Sequence, residues 1–294
     1  MYYAFFSGYS SLKKGGFKLP DYSVGDIVAR KSYGKDVAFV ISKITEDDER
    51  YERYMLKGLT VRLVADSDKD DLVKVDPRVV KLSNERNIYM FKKQQFFNSL
   101  SRNLNLFNVR NMARRKRPGR ILHIDGSKEF LNSSMMYYKI LGLNPIGIYV
   151  DEPEQPQVAR SLLNQYNPDI VVFTGHDGLR KDATDTKSFE SYTYSRYYER
   201  AVSEARAYQP NPDALFVYAG ACQSYYEALI AAGATYASSP ARVLIHSTDP
   251  VTLASRIATT PQNQIITPKQ AVRGTYSGTK GIGGVNTRGR LKLF

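Results

Sequence analysis

With 294 residues, 42% of them apolar and 24% charged, the chain has material for one large or two modest domains with an ample core. No apolar run approaches the roughly 20 residues that span a bilayer, and the aromatic opening MYYAFFSGYSSLKKGG lacks the basic leader and apolar core of a signal peptide. A single cysteine excludes an internal disulfide framework and a Cys-rich zinc site and suits a reducing cytosol, while the net charge of +13 raises the question of an acidic partner.

Residues 1–21 read as a leader. From residue 22 to 78 short β segments follow one another. Val37, Phe39 and Ile41 alternate with other residues, Leu59, Val61 and Leu63 alternate again in KGLTVRLV, and DLVKV closes the series. Turn residues (SYGKD, ADSDKDD) separate these runs at the spacing of a small antiparallel barrel, so the segment is expected to be an SH3-like β-barrel serving recognition or placement. The acidic turn ADSDKDD leaves calcium dependence open, and no metal ligand set is assigned.

Residues 79–118 form a helical and basic linker. A helix-like spacing runs to about residue 107, and NVRNMARRKRPGR then carries six basic residues without an acid before Pro118 and Gly119 break the chain. Nearly half of the excess charge sits there. Binding to nucleic acid through phosphates is one reading of this run, in which a DNA- or RNA-binding regulator would use barrel and linker together; attraction to acidic partners is another.

After Gly119 strands alternate with helices: RILHID, a helix over 127–142, IGIYV, a helix through QVARSLLNQY, DIVVFTG, a helix over about 188–208, ALFVYAG, a helix through QSYYEALIAAG, ARVLIH, and a helix through VTLASRIATT. This pattern predicts an open, mostly parallel sheet with helices on both faces, with RLKLF as an edge strand near the end.

Two of the strands end alike. VVFTG leads into His176 and FVYAG into Ala221-Cys222, and in a parallel sheet functional groups collect beyond the carboxyl ends of the strands. A helix beginning directly after Cys222 would favour a thiolate there. The pair suits acyl chemistry, in which a thiolate attacks a carbonyl, an imidazole shuttles the proton, and main-chain amides hold the oxyanion. The candidate donors are the amides of Cys222 and of Asp177 or Gly178. A buried, inert Cys222 and a loop His176 would satisfy the same pattern, and so would an amidase acting on a small substrate. His246 is the second choice of base, and His123, inside a strand, reads as structural.

The residues GDIVARKSYGKDV, ILHIDG with Phe130-Leu131, TGHDG, AGACQS, YYEALIAAGATYASSPARVLIH with the following DP, and GIGGVNTRGRLKL together resemble the YabG family of sporulation-specific cysteine proteases, and more widely the caspase, gingipain and clostripain group. The resemblance covers most of the chain from about residue 23. It implies a caspase-like peptidase domain over residues 119–294, with Cys222 as nucleophile and His176 as base and acid. It also implies cleavage after a basic residue, chiefly Arg, and protein substrates of the spore coat and cortex. The expected location is the cytoplasm of the mother cell and then the coat, without a membrane partner. The wider group has Gly directly after the His, where this chain has Asp177 and then Gly178.

A guanidinium is best held by a carboxylate fork. Asp125, at the end of ILHID, is nominated to read the arginine, with Asp249 and Asp177 behind it; a helix-capping role for Asp125 stays open. Ser238 and Ser239, in ASSPAR, could line a channel for an extended peptide. The linker arginines Arg114, Arg115, Arg117 and Arg120 are candidate sites of self-cleavage. The chemistry requires no cofactor, and the oligomeric state is left open.

Overall fold

A computed structural model describes residues 22–46, 52–82, 85, 88–89, 116–180 and 183–294. The expected leader, Arg114, Arg115 and most of the linker lie outside the described residues; residues 77–82 are helical.

The first sheet contains β1 (Ile27–Arg30), β2 (Ala38–Glu46), β3 (Glu52–Gly58), β4 (Val64–Asp68) and β5 (Leu72–Lys74). The strands pair antiparallel in the order β4-β3-β2-β1-β5. Val28, Phe39, Ile41, Tyr54 and Leu56 are buried on its inner side, as the alternation in β2 predicts. Among the described residues β4 and β5 do not pair with each other, so the module is an antiparallel sheet without a closed ring of strands.

The chain departs from expectation between β3 and β4. Leu59, Val61 and Leu63 alternate like a strand, yet after Leu59, whose N–H still donates to Ala38 O at 3.0 Å, residues 60–63 leave the first sheet as a projecting loop closed by Gly58 N–H donating to Leu63 O at 2.8 Å. Val61 pairs instead with His246, and Leu63 with Asp177.

The second sheet is built from β7 (Ile121–Asp125), β8 (Ile146–Tyr149), β9 (Ile170–Thr174), β10 (Phe216–Ala219), β11 (Tyr236–Ser238) and β13 (Ile282–Gly284). Their order is β13-β11-β10-β9-β7-β8, with all neighbours parallel except the antiparallel edge strand β13. The continuous apolar runs follow from burial on both faces. Ile170 and Val172 of β9 join one core with α1 (Lys128–Ile140) and α5 (Asp249–Thr259). Val171 and Phe173 join the other with α2 (Gln155–Tyr166), α3 (Ser195–Tyr208) and α4 (Tyr226–Ala231). The protein is therefore a mixed α/β structure.

Smaller elements complete the second unit. They are β6 (Lys116–Arg117), which pairs with β15 (Lys292–Leu293), β12 (Ile265–Ile266), which pairs with β14 (Thr287–Arg288), and the short helices α6 (Pro268–Ala271) and α7 (Gly278–Gly281). The end of the expected linker is thus tied to the tail. The predicted strand ARVLIH is not one of the sheet strands; residues 241–246 run as a loop that meets residues 60–62.

Candidate active site

The two strands that end alike, β9 and β10, are parallel neighbours. Phe173 of β9 lies opposite Ala219 of β10, and His176 and Cys222 each follow three residues later. Gly220 turns the chain with φ +105°, a region that disfavours side chains, and brings Ala221 N–H onto the Ser224 hydroxyl at 2.9 Å. The helix expected immediately after Cys222 starts four residues later, at Tyr226, and is short. Its dipole gives the thiol no help of the kind anticipated. Burial instead pushes the Cys222 thiol well up from its ordinary range. Its Sγ accepts from Ile245 N–H at 3.0 Å and lies 3.6 Å from Ile245 O.

His176 is positioned by a residue the sequence reading missed. The buried carboxylate of Glu152 accepts the His176 main-chain N–H at 2.7 Å, and the same oxygen lies 3.6 Å from Nδ1. Among the described residues Nδ1 has no hydrogen-bond partner. The ring packs on Phe130, with centroids 5.0 Å apart, and borders a small open cavity shared with Lys57, Gly126 and Tyr149. Glu152 stands in an unremarkable DEPEQP turn, so only the fold places its carboxylate under the histidine.

Asp177 divides its functions between main chain and side chain. Its carboxylate accepts from Gly178 N–H, Tyr194 N–H and the hydroxyls of Ser195 and Ser224, at 2.5–2.9 Å. Burial nevertheless pushes that carboxyl up to about 6. The Gly178 amide is therefore occupied, whereas the Asp177 amide points into the cleft.

What fills the cleft is the loop from the first sheet. Arg62 O accepts from the amides of both Cys222 and Asp177, each at 3.1 Å. Arg62 N–H donates to Ile245 O at 3.0 Å, and Ser247 N–H donates to Thr60 O at 3.1 Å, so residues 60–62 extend along 245–247. The Arg62 guanidinium forms a fork on Asp125, Nη1 to Oδ1 at 3.1 Å and Nη2 to Oδ2 at 3.0 Å, and also donates to Gly175 O and Ser247 O. It stacks over Phe130, 4.7 Å from the ring centroid. Arg62 and Asp125 are both fully buried. Burial alone would raise the Asp125 carboxyl, but the charge of Arg62 and the bond from His123 hold it well below the usual carboxylate range. Just past the arginine, Gly178 lets the loop pass: a Cβ there would stand 2.2 Å from Val64 O.

The other nominated residues lie around this cleft in different roles. Asp125 also accepts Ser127 N–H, while Ser127 itself caps α1 by accepting from Phe130 N–H. His123 bridges Tyr138 OH and Asp125 at 3.1 and 3.2 Å, and burial pushes its pKa down. Because ionised Asp125 only accepts, His123 donates from Nε2 and accepts from Tyr138 at Nδ1. Asp249 is engaged elsewhere, accepting from the amides of Tyr276 and Ser277 and from the Ser277 hydroxyl. His246 bonds Thr248 through Nδ1 at 2.8 Å and packs on Tyr276. Ser238 is buried against Tyr218 OH, and Ser239 ties the loop at Val243 through its hydroxyl. These serines support the loop carrying Ile245 and make none of the contacts to residues 60–62 described above. Arg117 lies in β6, and Arg120 is anchored on Asp169 beside the amino end of β9, at the opposite end of the sheet from Cys222.

Fold and cleft together define a mixed α/β protein in which an extended segment of the same chain lies at the carboxyl ends of a largely parallel sheet. The chain belongs to the YabG peptidase U57 family, whose model matches residues 23–294. It is 36% identical over 286 residues to the sporulation-specific protease YabG of Bacillus subtilis (strain 168), covering 92% of this chain and 97% of that protein. No solved structure matches it significantly. The chain is thus a member of a peptidase family, and among the described residues no helix is long and apolar enough to cross a membrane.

Proposed function

We propose that the protein is a cysteine endopeptidase of sporulation that cuts spore-coat and cortex-related proteins after a basic residue, chiefly Arg. One observation carries this reading: an arginine lies in the cleft with its carbonyl on the amides of Cys222 and Asp177 and its side chain forked on Asp125. Cys222 is the nucleophile and His176 its base. Attack moves the thiol proton to His176, and the two amides receive the charge that develops on the carbonyl oxygen. His176 then protonates the departing amine, and water, deprotonated by the same imidazole, releases the acid product from sulfur. Glu152 is a positioning residue for His176. Of the nominated acids, Asp125 reads the arginine, because Asp249 and Asp177 are committed to other donors.

In this reading residues 119–294 form a caspase-like catalytic domain, residues 22–78 an SH3-like module that places it, and residues 79–118 the linker. The enzyme works in the mother-cell cytoplasm and then in the coat. Incubating wild type and Cys222→Ala with a denatured protein mixture tests the proposal. New termini preceded by Arg are expected with wild type alone; their absence, or equal yields from the variant, would overturn it.

A further inference from the structure

We infer that the Arg62–Leu63 bond is an internal cleavage site, cut by the Cys222 thiol of the same chain, and that residues 60–64 fill the site until it is cut. The inference rests on the peptidase reading above and deepens it by naming a substrate bond.

Four independent contacts put this loop in the register of a bound substrate. The carbonyl of Arg62 occupies the two-amide position at Cys222 and Asp177, which is where a tetrahedral oxyanion is stabilised. The preceding backbone adds to residues 245–247 as an extended peptide adds to an exposed edge, through Arg62 N–H to Ile245 O and Ser247 N–H to Thr60 O. The side chain makes a two-bond fork on a buried carboxylate. The chain continues past the arginine over Gly178, where Val64 N–H donates to Asp177 O at 3.0 Å, so both sides of the bond are held.

A loop evolved only to pack two sheets together has no need of its carbonyl on two converging amides. The pattern of the sequence points the same way: Leu59, Val61 and Leu63 have a strand's alternation, and yet Val61 and Leu63 pair with the opposite unit. Of the nominated linker arginines that the structure describes, neither has such a setting, since Arg117 is in β6 and Arg120 is fixed at the far end of the sheet.

In the step itself Cys222 Sγ bonds to the Arg62 carbonyl carbon as its proton passes to His176. The C–N bond to Leu63 breaks with return of that proton to the new amine. Water then cleaves the thioester, leaving a carboxylate at Arg62 and an amino terminus at Leu63. The joined chain covers Cys222 completely, so external polypeptides reach the thiol only after the loop has left.

The test follows the full-length chain by intact mass and amino-terminal sequencing, beside its cleavage of a fluorogenic arginyl peptide. A terminus at Leu63 is expected in wild type, absent in Cys222→Ala, and slowed about 100-fold or more in Arg62→Gln, which loses the charged fork. Should Arg62→Gln unfold by circular dichroism, Arg62→Lys keeps the charge without the fork and is expected to cut at least about tenfold more slowly. A wild-type chain that stays whole at this bond overturns the inference. If either that chain or Arg62→Gln still hydrolyses the peptide, the error lies in the bond assigned; if neither does, even when Gly178→Ala displaces the loop, it lies in the peptidase site. A Leu63 terminus that also forms in Cys222→Ala overturns it as well.

Discussion

Arg62 and Asp125 meet as a two-bond ion pair that no solvent reaches, although one comes from the first sheet and the other from the end of β7. The pair locks the two units together, and in the proposed reading it also fills the site for a substrate arginine. Those two functions compete, and the competition shapes what each variant should do.

Asp125→Asn leaves the Arg62 charge buried without its counter-ion. The expected loss is about 3–5 kcal/mol of unfolding free energy, measured by urea titration in a Cys222→Ala background. Replacing both residues by apolar ones of similar volume should recover most of it, because the desolvation cost of each charge then disappears. The native carboxyl is held below its unfolded value, so its contribution is full above about pH 4 and falls away as the pH drops toward the native pKa. A single Asp125→Asn chain as stable as its parent at pH 7 would contradict the buried pair.

The two histidines nearest the cleft should separate in kinetics. Among the described residues His176 keeps Nδ1 without a hydrogen-bond partner beside Glu152, whereas His246 is committed to Thr248 and packed on Tyr276. His176→Ala is expected to lower kcat on an arginyl peptide by about 10³–10⁴, and His246→Ala by less than about tenfold. Glu152→Ala should lower kcat by about 100-fold with KM little changed, and Glu152→Gln, which still accepts the His176 amide, by about tenfold. Equal losses at His176 and His246, or a Glu152→Ala effect confined to KM, would reassign the base.

Asp177 gives a pH signature of opposite sign to that of Asp125. Its carboxyl is pushed up to about 6 by burial, so the folded state binds its proton more tightly than the unfolded state does. The contribution to stability is therefore full below about pH 4 and declines as the pH rises toward 6. Asp177→Asn should flatten this stretch of a stability-against-pH curve from about pH 4 to 6, since an amide in that place does not titrate. Chemical denaturation at half-unit steps in a Cys222→Ala background measures it, and an unchanged slope would remove Asp177 as the titrating group.

The larger sheet was legible because burial on both faces writes continuous apolar runs, and the matched ends VVFTGH and FVYAGAC belong to two strands that are neighbours in it. Asp125 was reachable from its place at a strand end. Arg62 was not, because the alternation of Leu59, Val61 and Leu63 is the same whether a segment pairs within its own sheet or lies along a foreign edge. Only the tertiary fold decides which edge receives it. Glu152 escaped for a similar reason: its turn carries no periodicity, and its importance lies in reaching His176 across the sheet end. The loop at 241–246 was misread as a strand because an apolar run records burial without recording a hydrogen-bond partner.

The covering of Cys222 by the loop can be read without any catalysis. The thiol is fully buried among Val61, Ile245 and the core of the first sheet, and burial also keeps it protonated, so two effects slow its alkylation. In a His176→Ala background, where the chain remains uncut, iodoacetamide should label Cys222 slowly. Gly178→Ala brings a Cβ to 2.2 Å from Val64 O, a backbone atom, so the loop must move rather than a side chain turn aside. Displacing residues 62–64 opens the thiol to solvent. Labelling, followed by mass spectrometry, is expected to speed up about tenfold or more while the circular dichroism spectrum is kept. Equal rates in the two chains would count against the Arg62 loop as the cover of the thiol, since the backbone atoms that a methyl group on Gly178 meets belong to Val64 of that loop.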